Sequence, residues 1–491
     1  MFEQLKRLTR HTAVYGIGHI LSRFIGFLLL PIHTNYLSPE IYGLASLLFS
    51  SLAILNVLFS YGMDVAFLRY FILADSREEK RRIFGTCYWM ILASSLVFSG
   101  ILAAFPALFS ELIFRSAEYR SLIRISAGIL AADAVSLLPF LILRAEEKSG
   151  QFVFQKALNI LANMVSNIVL VAWLKKGLEG VFVSNLIASC LTLFTLAPVV
   201  LRWLSPVLRF RILDPVLRFG LPYIPSGLAV IIMDQISRFF LDRIRGQAAT
   251  GIFSANYKIG MFMAILVAAF RFAWHPFFLS ASKQADAPRV FSRVFTYFLC
   301  LTFFFFLAIS LFLEKIIGFH IAGFRLFGEG YGSGSGIVPV ILLSYIAYGA
   351  YLNFMVGIHL KKKTAVLPWI TWIGAGTAIL ANRLLIPAWG INGAAWATFL
   401  AYLVMAASLY MVSRRLYPVP YEWVRTLKIA CSACLLAALG SLAPEGTPLW
   451  IRVLLLLAFF PVLYLAGFFK EDEKGRLKRI FMSRIFRQET K

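Results

Sequence analysis

Charged and amide side chains recur at helical spacing inside stretches of sequence that are otherwise apolar. Neighbours four residues apart share one face of a helix, so each group would form a polar stripe. The ionisable residues inside these apolar stretches are the cations Arg23, Arg124, Lys156, Arg238, Lys258 and Arg271 and the carboxylates Asp64, Asp133 and Asp234. The cations outnumber the carboxylates, and arginine offers paired donors to phosphate or carboxylate groups. This composition predicts a cationic site for an anionic group.

Two of these stripes allow more than one interpretation. They are Lys156, Asn159, Asn163 and Asn167 in one apolar stretch, and Asp234, Arg238 and Asp242 in another. Charged groups at membrane depth usually face a cavity or a partner. The amides would otherwise join neighbouring helices by hydrogen bonds, Asp234 would pair with Arg238, and Arg124 and Lys156 would extend to the membrane surface. Both interpretations stay open.

Asp64 and Asp234 are the candidates for coupling to an ion. A buried carboxylate can carry a proton unless a nearby cation keeps it ionised. Arg238 lies one turn from Asp234, which leaves Asp64 as the better proton carrier. The alternative is that Asp64 pairs with Arg69 or Arg23.

Fourteen long apolar segments carry these residues. A bilayer core about 30 Å thick needs about 20 mostly apolar residues per helix. Hydrophobic residues make up 60% of the 491 residues, charged residues 15%, and mean hydropathy is +0.78. The predicted helices are 12–33, 44–64, 83–106, 121–143, 152–174, 179–201, 216–241, 251–279, 290–313, 336–358, 365–386, 392–413, 426–443 and 449–469. The pattern predicts an all-α polytopic membrane protein, and a transporter in particular.

Lysine and arginine gather in every second gap between these segments. About two-thirds of the 48 Lys and Arg residues lie in one set of gaps and tails. Because cytoplasmic loops carry the Lys/Arg excess, both termini are predicted to be cytoplasmic. The net charge of +24 sits in short loops beside apolar helices, which favours anionic phospholipids over nucleic acid as a partner.

The chain also resembles itself. Gly43 follows the first predicted helix and Gly251 the seventh, in similar short sequences, and Trp173 and Trp389 form a second such pair. Six helices separate each pair, which predicts two six-helix lobes in a parallel pseudo-twofold repeat, plus two C-terminal helices. We therefore divide the chain into an N-terminal lobe (1–201), a cytoplasmic linker (202–215), a C-terminal lobe (216–413), helices thirteen and fourteen (414–469) and a basic cytoplasmic tail (470–491).

The residues give little support to a metal site, a cofactor site or enzymatic activity. The six His are scattered, so no metal site is predicted, and no nucleotide-binding motif or other cofactor motif occurs. A membrane glycosyltransferase or polymerase would need paired carboxylates on a large outer loop. The longest outer loop, 314–335, offers only Glu314 and Glu329. We expect a protein that is not an enzyme.

Three motifs resemble the bacterial polysaccharide flippases of the O-antigen and capsule type. They are Gly16, Leu21, Ser22, Arg23, Gly26, Phe27 and Pro31 in the first predicted helix; residues 37–43 with Gly62 and Arg69 to Phe71; and Asn382, Arg383, Ile386, Pro387, Gly390 and Gly393. The likeness spans roughly residues 10–413. It places the chain in the superfamily that also holds lipid II flippases and multidrug extruders.

This resemblance implies that an undecaprenyl-pyrophosphate-linked oligosaccharide crosses the inner membrane by alternating access between the lobes. Arg23 and Arg271 would then bind the pyrophosphate or an acidic sugar, and the Asn stripe would contact sugars. Arg238, Lys258, Arg124 and Lys156 would add cationic lining. Polysaccharide polymerase and glycosyltransferases would be partners. A lipid II-type flippase and a multidrug exporter remain the alternatives, although a pump for cationic drugs would favour an acidic cavity.

Overall fold

The computed structural model describes residues 27–206, 208–321, 324–442, 447–471 and 473, and these residues are mainly helical. The α-helices in chain order are α1 (Leu30–Tyr36), α2 (Pro39–Ser60), α3 (Met63–Leu73), α4 (Arg77–Ala104), α5 (Pro106–Phe114), α6 (Arg120–Ala145), α7 (Ser149–Asn167), α8 (Gly177–Trp203), α9 (Phe210–Gly220), α10 (Tyr223–Ala281), α11 (Ala287–Ile317), α12 (Val338–Leu360), α13 (Leu367–Leu416), α14 (Trp423–Ser441) and α15 (Leu449–Leu465). One small antiparallel hairpin, β1 (His320–Ile321) and β2 (Phe324–Arg325), follows α11.

Ten helical stretches among the described residues are long and apolar enough to cross a bilayer, and α15 is a shorter apolar helix. Two of the ten, α10 and α13, reverse direction at Gly246 (φ 86°) and Gly390 (φ 54°), backbone conformations that glycine adopts readily. Each therefore provides two crossings, which accounts for predicted helices two to fourteen. The prediction of an all-α polytopic membrane fold is confirmed. Most of predicted helix 12–33 lies outside the described residues.

The structure also contains backbone breaks that hydropathy did not predict. Tyr61 (φ 33°) and Gly62 (φ 76°) are left-handed and divide the predicted second helix into α2 and α3. The end of α7 continues as a π-helix, Ile168–Trp173. The predicted helix 216–241 begins inside α9, and α10 starts only at Tyr223. These features depend on single dihedral angles, so a hydropathy average does not detect them.

Glycines bring the two halves of the chain into close contact at two levels. A Cβ atom on Gly43 in α2 would lie 2.0 Å from the Gln247 carbonyl oxygen, and one on Gly251 would lie 1.9 Å from that of Pro39. At the other end of the membrane segment, a Cβ atom on Gly62 would lie 2.1 Å from the Gly220 oxygen. We call the end that carries the lysines 361–363 the basic face; Gly43 and Gly251 approach each other near the opposite face.

Helices α14 and α15 pack against α11, and each carries a buried arginine. Arg425 in α14 donates to Glu422 (2.8 Å), to Glu473 (2.7 Å) and to the Phe468 carbonyl oxygen (2.9 Å). Arg452 in α15 donates to the Leu311 carbonyl oxygen of α11 (2.7 Å) and to Glu314. Because a buried cation without partners is costly, these bonds fix α15 to α11 through Arg452 and α14 to the segment after α15 through Arg425.

Candidate functional site

A polar cavity of about 520 Å³ opens among α2, α3, α6, α7, α8 and the second half of α10. We call it the central cavity. Its charged lining consists of Arg144, Lys156, Arg271, Asp64 and Asp133, and its neutral polar lining of Asn56, Ser136, Asn159, Asn185, Ser189 and Thr192. Two other hollows of the same volume are lined almost wholly by apolar side chains, as expected beside hydrocarbon.

The break between α2 and α3 positions Asp64. Gly62 precedes the first turn of α3, and Asp64 lies in that turn, where the helix dipole favours a negative charge. The carboxylate is exposed to the cavity and makes no hydrogen bond or ion pair with any described residue. It is thus available to an ion or ligand that enters.

The N-terminal half supplies most of the cavity wall through α6, α7 and α8. Ser189 donates a 2.7 Å hydrogen bond to Asp133, and Asn159 donates to Thr192 at 2.9 Å. The Lys156 ammonium lies 4.2 Å from the centroid of the Phe140 ring, a distance suited to a cation–π contact. These contacts fix the positions of Asp133, Lys156 and Asn159 before any ligand arrives.

Arg271 is the cation that the second half of the chain contributes. It lies in α10, is exposed to the cavity and makes no hydrogen bond or ion pair with the described residues. Its guanidinium lies 5.7 Å from the Phe272 ring centroid. Arg271 therefore presents unused donors to a cavity whose other walls belong to the N-terminal half.

Asp234 lies in a separate buried cluster. It accepts hydrogen bonds from Tyr257 (2.7 Å), Gln235 (2.7 Å) and Tyr345 (3.2 Å). Arg238 donates to the backbone oxygen of Asp234 at 2.8 Å and lies over the Tyr257 ring at 4.7 Å. Arg238 thus donates to the backbone of Asp234, while the neutral side chains of Tyr257, Gln235 and Tyr345 donate to its carboxylate.

The remaining predicted residues lie elsewhere. Asn167 accepts from His33 (2.9 Å) and donates to Asn163 (2.7 Å), so both amides are used in packing α7 against α1. The Lys258 ammonium lies 5.3 Å from the Tyr42 ring centroid. Arg124 is exposed and does not line the central cavity. Arg23 lies outside the described residues.

Sequence reasoning missed Arg144 and Asn185 as cavity residues. Asn185 precedes Ser189 by four residues and Thr192 by seven, and Arg144 follows Phe140 by four and Leu137 by seven. This is the spacing of one helix face. The signal is present in the sequence, but Arg144 also fits a basic loop and Asn185 stands alone among apolar neighbours.

Comparison with known proteins adds a family and a fold. The sequence model of the family "Polysaccharide biosynthesis protein" matches residues 8–282. A relative in Haemophilus influenzae, "Lsg locus putative protein 1", is 20% identical over 288 residues, which cover 57% of this chain and 67% of the relative.

Solved membrane transporters share the architecture at low sequence identity. The lipid II flippase MurJ in its inward closed conformation superposes with a TM-score of 0.75 at 15% identity, over 92% of this chain and 98% of MurJ. An inward-facing multidrug resistance transporter of the MATE family gives a TM-score of 0.62 at 18% identity, over 80% of this chain and 94% of that one. The likeness concerns the fold.

Proposed function

The chain belongs to the polysaccharide biosynthesis protein family, and from this premise we propose that it flips a lipid-linked oligosaccharide across the bacterial inner membrane. The substrate carries its glycan on undecaprenyl pyrophosphate. The basic face is cytoplasmic, as are both termini, so the glycan is taken up there and released on the opposite side. Polymerase and glycosyltransferases act on the product and supply the substrate.

The observation that carries this proposal is the Arg271 guanidinium, which lines the central cavity together with Lys156 and Arg144 and has no hydrogen bond or ion pair with a described residue. A pyrophosphate presents oxygens that an arginine can engage with two parallel donors. Asn56, Asn159 and Asn185 offer donors and acceptors to sugar hydroxyls. The lipid tail can stay in the bilayer, and two further hollows with almost wholly apolar linings offer surfaces that suit hydrocarbon.

Alternating access is the transport mechanism that the glycine contacts support. Closure near the opposite face brings Gly43 onto Gly251, and contact near the basic face brings Gly62 onto Gly220. Opening one side requires separation at one of these contacts. Asp64, whose carboxylate lines the cavity and pairs with no described residue, is the group that would carry a coupling proton. Asp234, held by tyrosines, is the second candidate.

A multidrug exporter is the weaker alternative. Cationic drugs would meet Arg144, Lys156 and Arg271 against only Asp64 and Asp133 in the central cavity. A lipid II-type flippase would use the same kind of cationic cavity, so the charge pattern does not separate the two substrates. The family match favours a surface polysaccharide.

Deletion of the gene in its native host separates these functions. We expect loss of surface polysaccharide and accumulation of its lipid-linked precursor at normal growth, with restoration by the parent gene but not by Arg271→Ala. Lysis with accumulated cell-wall precursor would instead assign lipid II. Increased sensitivity to cationic drugs with normal polysaccharide would assign drug export.

A further inference from the structure

A second cavity of about 240 Å³ lies wholly within the C-terminal half of the chain, between α10, α12 and α13. We call it the aromatic cavity, after Trp274, Tyr348 and Tyr351 in its lining. Arg271 lines both this cavity and the central cavity, so the two meet at one guanidinium. The volume falls below the roughly 300 Å³ at which pockets for drug-sized ligands begin, and it suits a single small ring.

Polar groups in the aromatic cavity lack partners among the described residues. The indole Nε1 of Trp274 is buried and makes no hydrogen bond, although the residue is only 4% exposed. Tyr351 and Tyr348 likewise bond no described residue through their hydroxyl groups. A buried donor without an acceptor costs about 1–3 kcal/mol, so a ligand or water that satisfies it is favoured.

His275 and His359 add hydrogen-bonding groups to the lining of the aromatic cavity. The Nδ1 atom of His359 lies 3.0 Å from the Met355 carbonyl oxygen, and since a carbonyl only accepts, Nδ1 must carry the proton. This leaves Nε2 of a neutral His359 as an acceptor. The His275 ring lies 5.5 Å from it, centroid to centroid. The cavity therefore offers both hydrogen-bonding roles at its edge.

The walls of the cavity are flat aromatic surfaces. Tyr348 and Tyr351 are nearly parallel, at 16° with centroids 6.1 Å apart, and Trp274 stacks on Phe270 at 21°. A pyranose ring combines C–H faces, which pack on aromatic rings, with hydroxyl groups at its rim, which bond to donors and acceptors. An apolar lipid tail would leave every one of these polar groups unsatisfied, and a cationic ligand would meet Arg271.

We propose that the aromatic cavity binds the sugar attached directly to the pyrophosphate, while Arg271 holds that pyrophosphate at the junction of the two cavities. This inference rests on the proposed function. The substrate then occupies two sites. The charge site binds any prenyl pyrophosphate, and the sugar site selects for the first sugar of the glycan. The rest of the glycan then lies in the central cavity.

Calorimetric titration of the full-length protein in detergent tests this division. The probes are farnesyl pyrophosphate and its glucosyl, galactosyl and N-acetylglucosaminyl derivatives. We expect at least one glycosylated probe to bind about tenfold more tightly than farnesyl pyrophosphate. Tyr351→Phe and His275→Ala should remove most of that preference and leave affinity for farnesyl pyrophosphate unchanged. Arg271→Ala should weaken both probes.

Tyr410→Phe is the matched control, because this tyrosine also lies on a helix of the C-terminal half but outside the aromatic cavity. Equal affinity for all probes, or a preference that survives Tyr351→Phe and His275→Ala, would overturn the sugar site. If glycosylated probes bind through Tyr351 but farnesyl pyrophosphate does not bind, the result supports the sugar site and contradicts the charge site. If none of the probes binds, both the sugar site and the charge site are contradicted.

Discussion

Arg271 connects both cavities and is the most informative single residue in the structure. Its guanidinium is exposed yet lies inside the apolar helix α10, and no described residue accepts a hydrogen bond from it, so its donors are available to a ligand or water. Arg124 has the same side chain in an apolar segment and is equally unpaired among the described residues, but it lines neither the central nor the aromatic cavity. The two arginines are a natural test pair.

We predict that Arg271→Ala reduces transport roughly tenfold or more, because it removes a charge-assisted contact of about 1.5–3 kcal/mol. Arg271→Lys should restore only part of the activity, since lysine lacks the paired donor geometry. Export of glycan in cells, at matched protein levels, provides the measurement. Arg124→Ala should behave like the parent, and an equal loss in both variants would remove Arg271 from the site.

Asp64 allows a test of ion coupling at the same scale. We predict that an imposed pH gradient accelerates flipping in proteoliposomes containing the parent, and that Asp64→Asn abolishes the response. Asp234→Asn is the informative comparison, because three neutral donors already hold that carboxylate. A parent that ignores the gradient, or an Asp64→Asn variant that still responds, would favour transport driven by potential or substrate supply.

Single residues show the limits of sequence reading. The excess of cations at membrane depth could be predicted, because charge and hydropathy are properties of composition. Which of these cations face the cavity could not be predicted. Arg238 and Arg271 both lie in α10, and the break at Gly246 places Arg238 in the buried Asp234 cluster and Arg271 in the central cavity. Asn163 and Asn167 have the spacing of ligands, yet they bond each other, and Asn167 also bonds His33, which is distant in sequence.

At the scale of helices, the contact between α2 and the second half of α10 determines closure near the opposite face. We predict that Gly43→Ala prevents it, since the added Cβ would lie 2.0 Å from a backbone oxygen that cannot move independently of its helix. The measurement is labelling of Ser136→Cys, in a cysteine-free background, by an impermeant thiol reagent added outside intact cells. The central cavity should become more accessible.

Gly100→Ala is the control for this experiment, because nothing lies within 4 Å of a Cβ atom at that helical glycine. Unchanged labelling in Gly43→Ala, with normal transport, would show that the α2–α10 contact is not part of the cycle. Hydropathy predicted the helices themselves and the repeat suggested that the two glycines are equivalent. Their direct contact required the packed structure.

Two glutamates with lowered pKa values, Glu422 and Glu473, bind Arg425 where the segment after α15 docks. Burial tends to raise the pKa of Glu422, but hydrogen bonds from Lys470 and Thr296 and the charge of Arg425 outweigh it and lower that pKa below its ordinary value. Burial also opposes ionisation of Glu473, and hydrogen bonds from Tyr297 and the Lys470 backbone, with the Arg425 charge, again lower the pKa. The stabilisation is therefore present above the ordinary pKa of about 4.3 and is lost as pH falls through the lowered values.

We predict that the protection of residues 466–471 against hydrogen exchange, taken relative to the intrinsic rate at each pH, is high at pH 6 and is lost when the pH falls below about 4, the ordinary glutamate range. Arg425→Gln should lose this protection already at pH 6, with no further change on acidification. Segment 425–436 serves as an internal reference in each sample. Slow exchange in Arg425→Gln at pH 6 would show that the ion cluster does not fix this segment.

For the molecule as a whole, two halves of one chain meet around a cationic cavity, and only one of them supplies the aromatic cavity. The family and the membrane fold follow from sequence features that span many residues, namely hydropathy, loop charge and dispersed motifs. The sites bring together residues that are far apart in sequence, such as Arg271 and Asp133 in the lining of the central cavity. That is why the fold was predictable and the site was predictable only in part.

Flipping by the purified protein tests the central claim most directly. Proteoliposomes would carry a fluorescent undecaprenyl-pyrophosphate-linked oligosaccharide extracted from the native host, and a glycan-modifying enzyme added outside would report the exposed fraction over time. We predict rapid exposure of the inner pool with the parent protein, and exposure at least tenfold slower with Arg271→Ala. Exposure with the parent no faster than in protein-free liposomes, under imposed pH gradients and membrane potentials of either sign, would contradict the account.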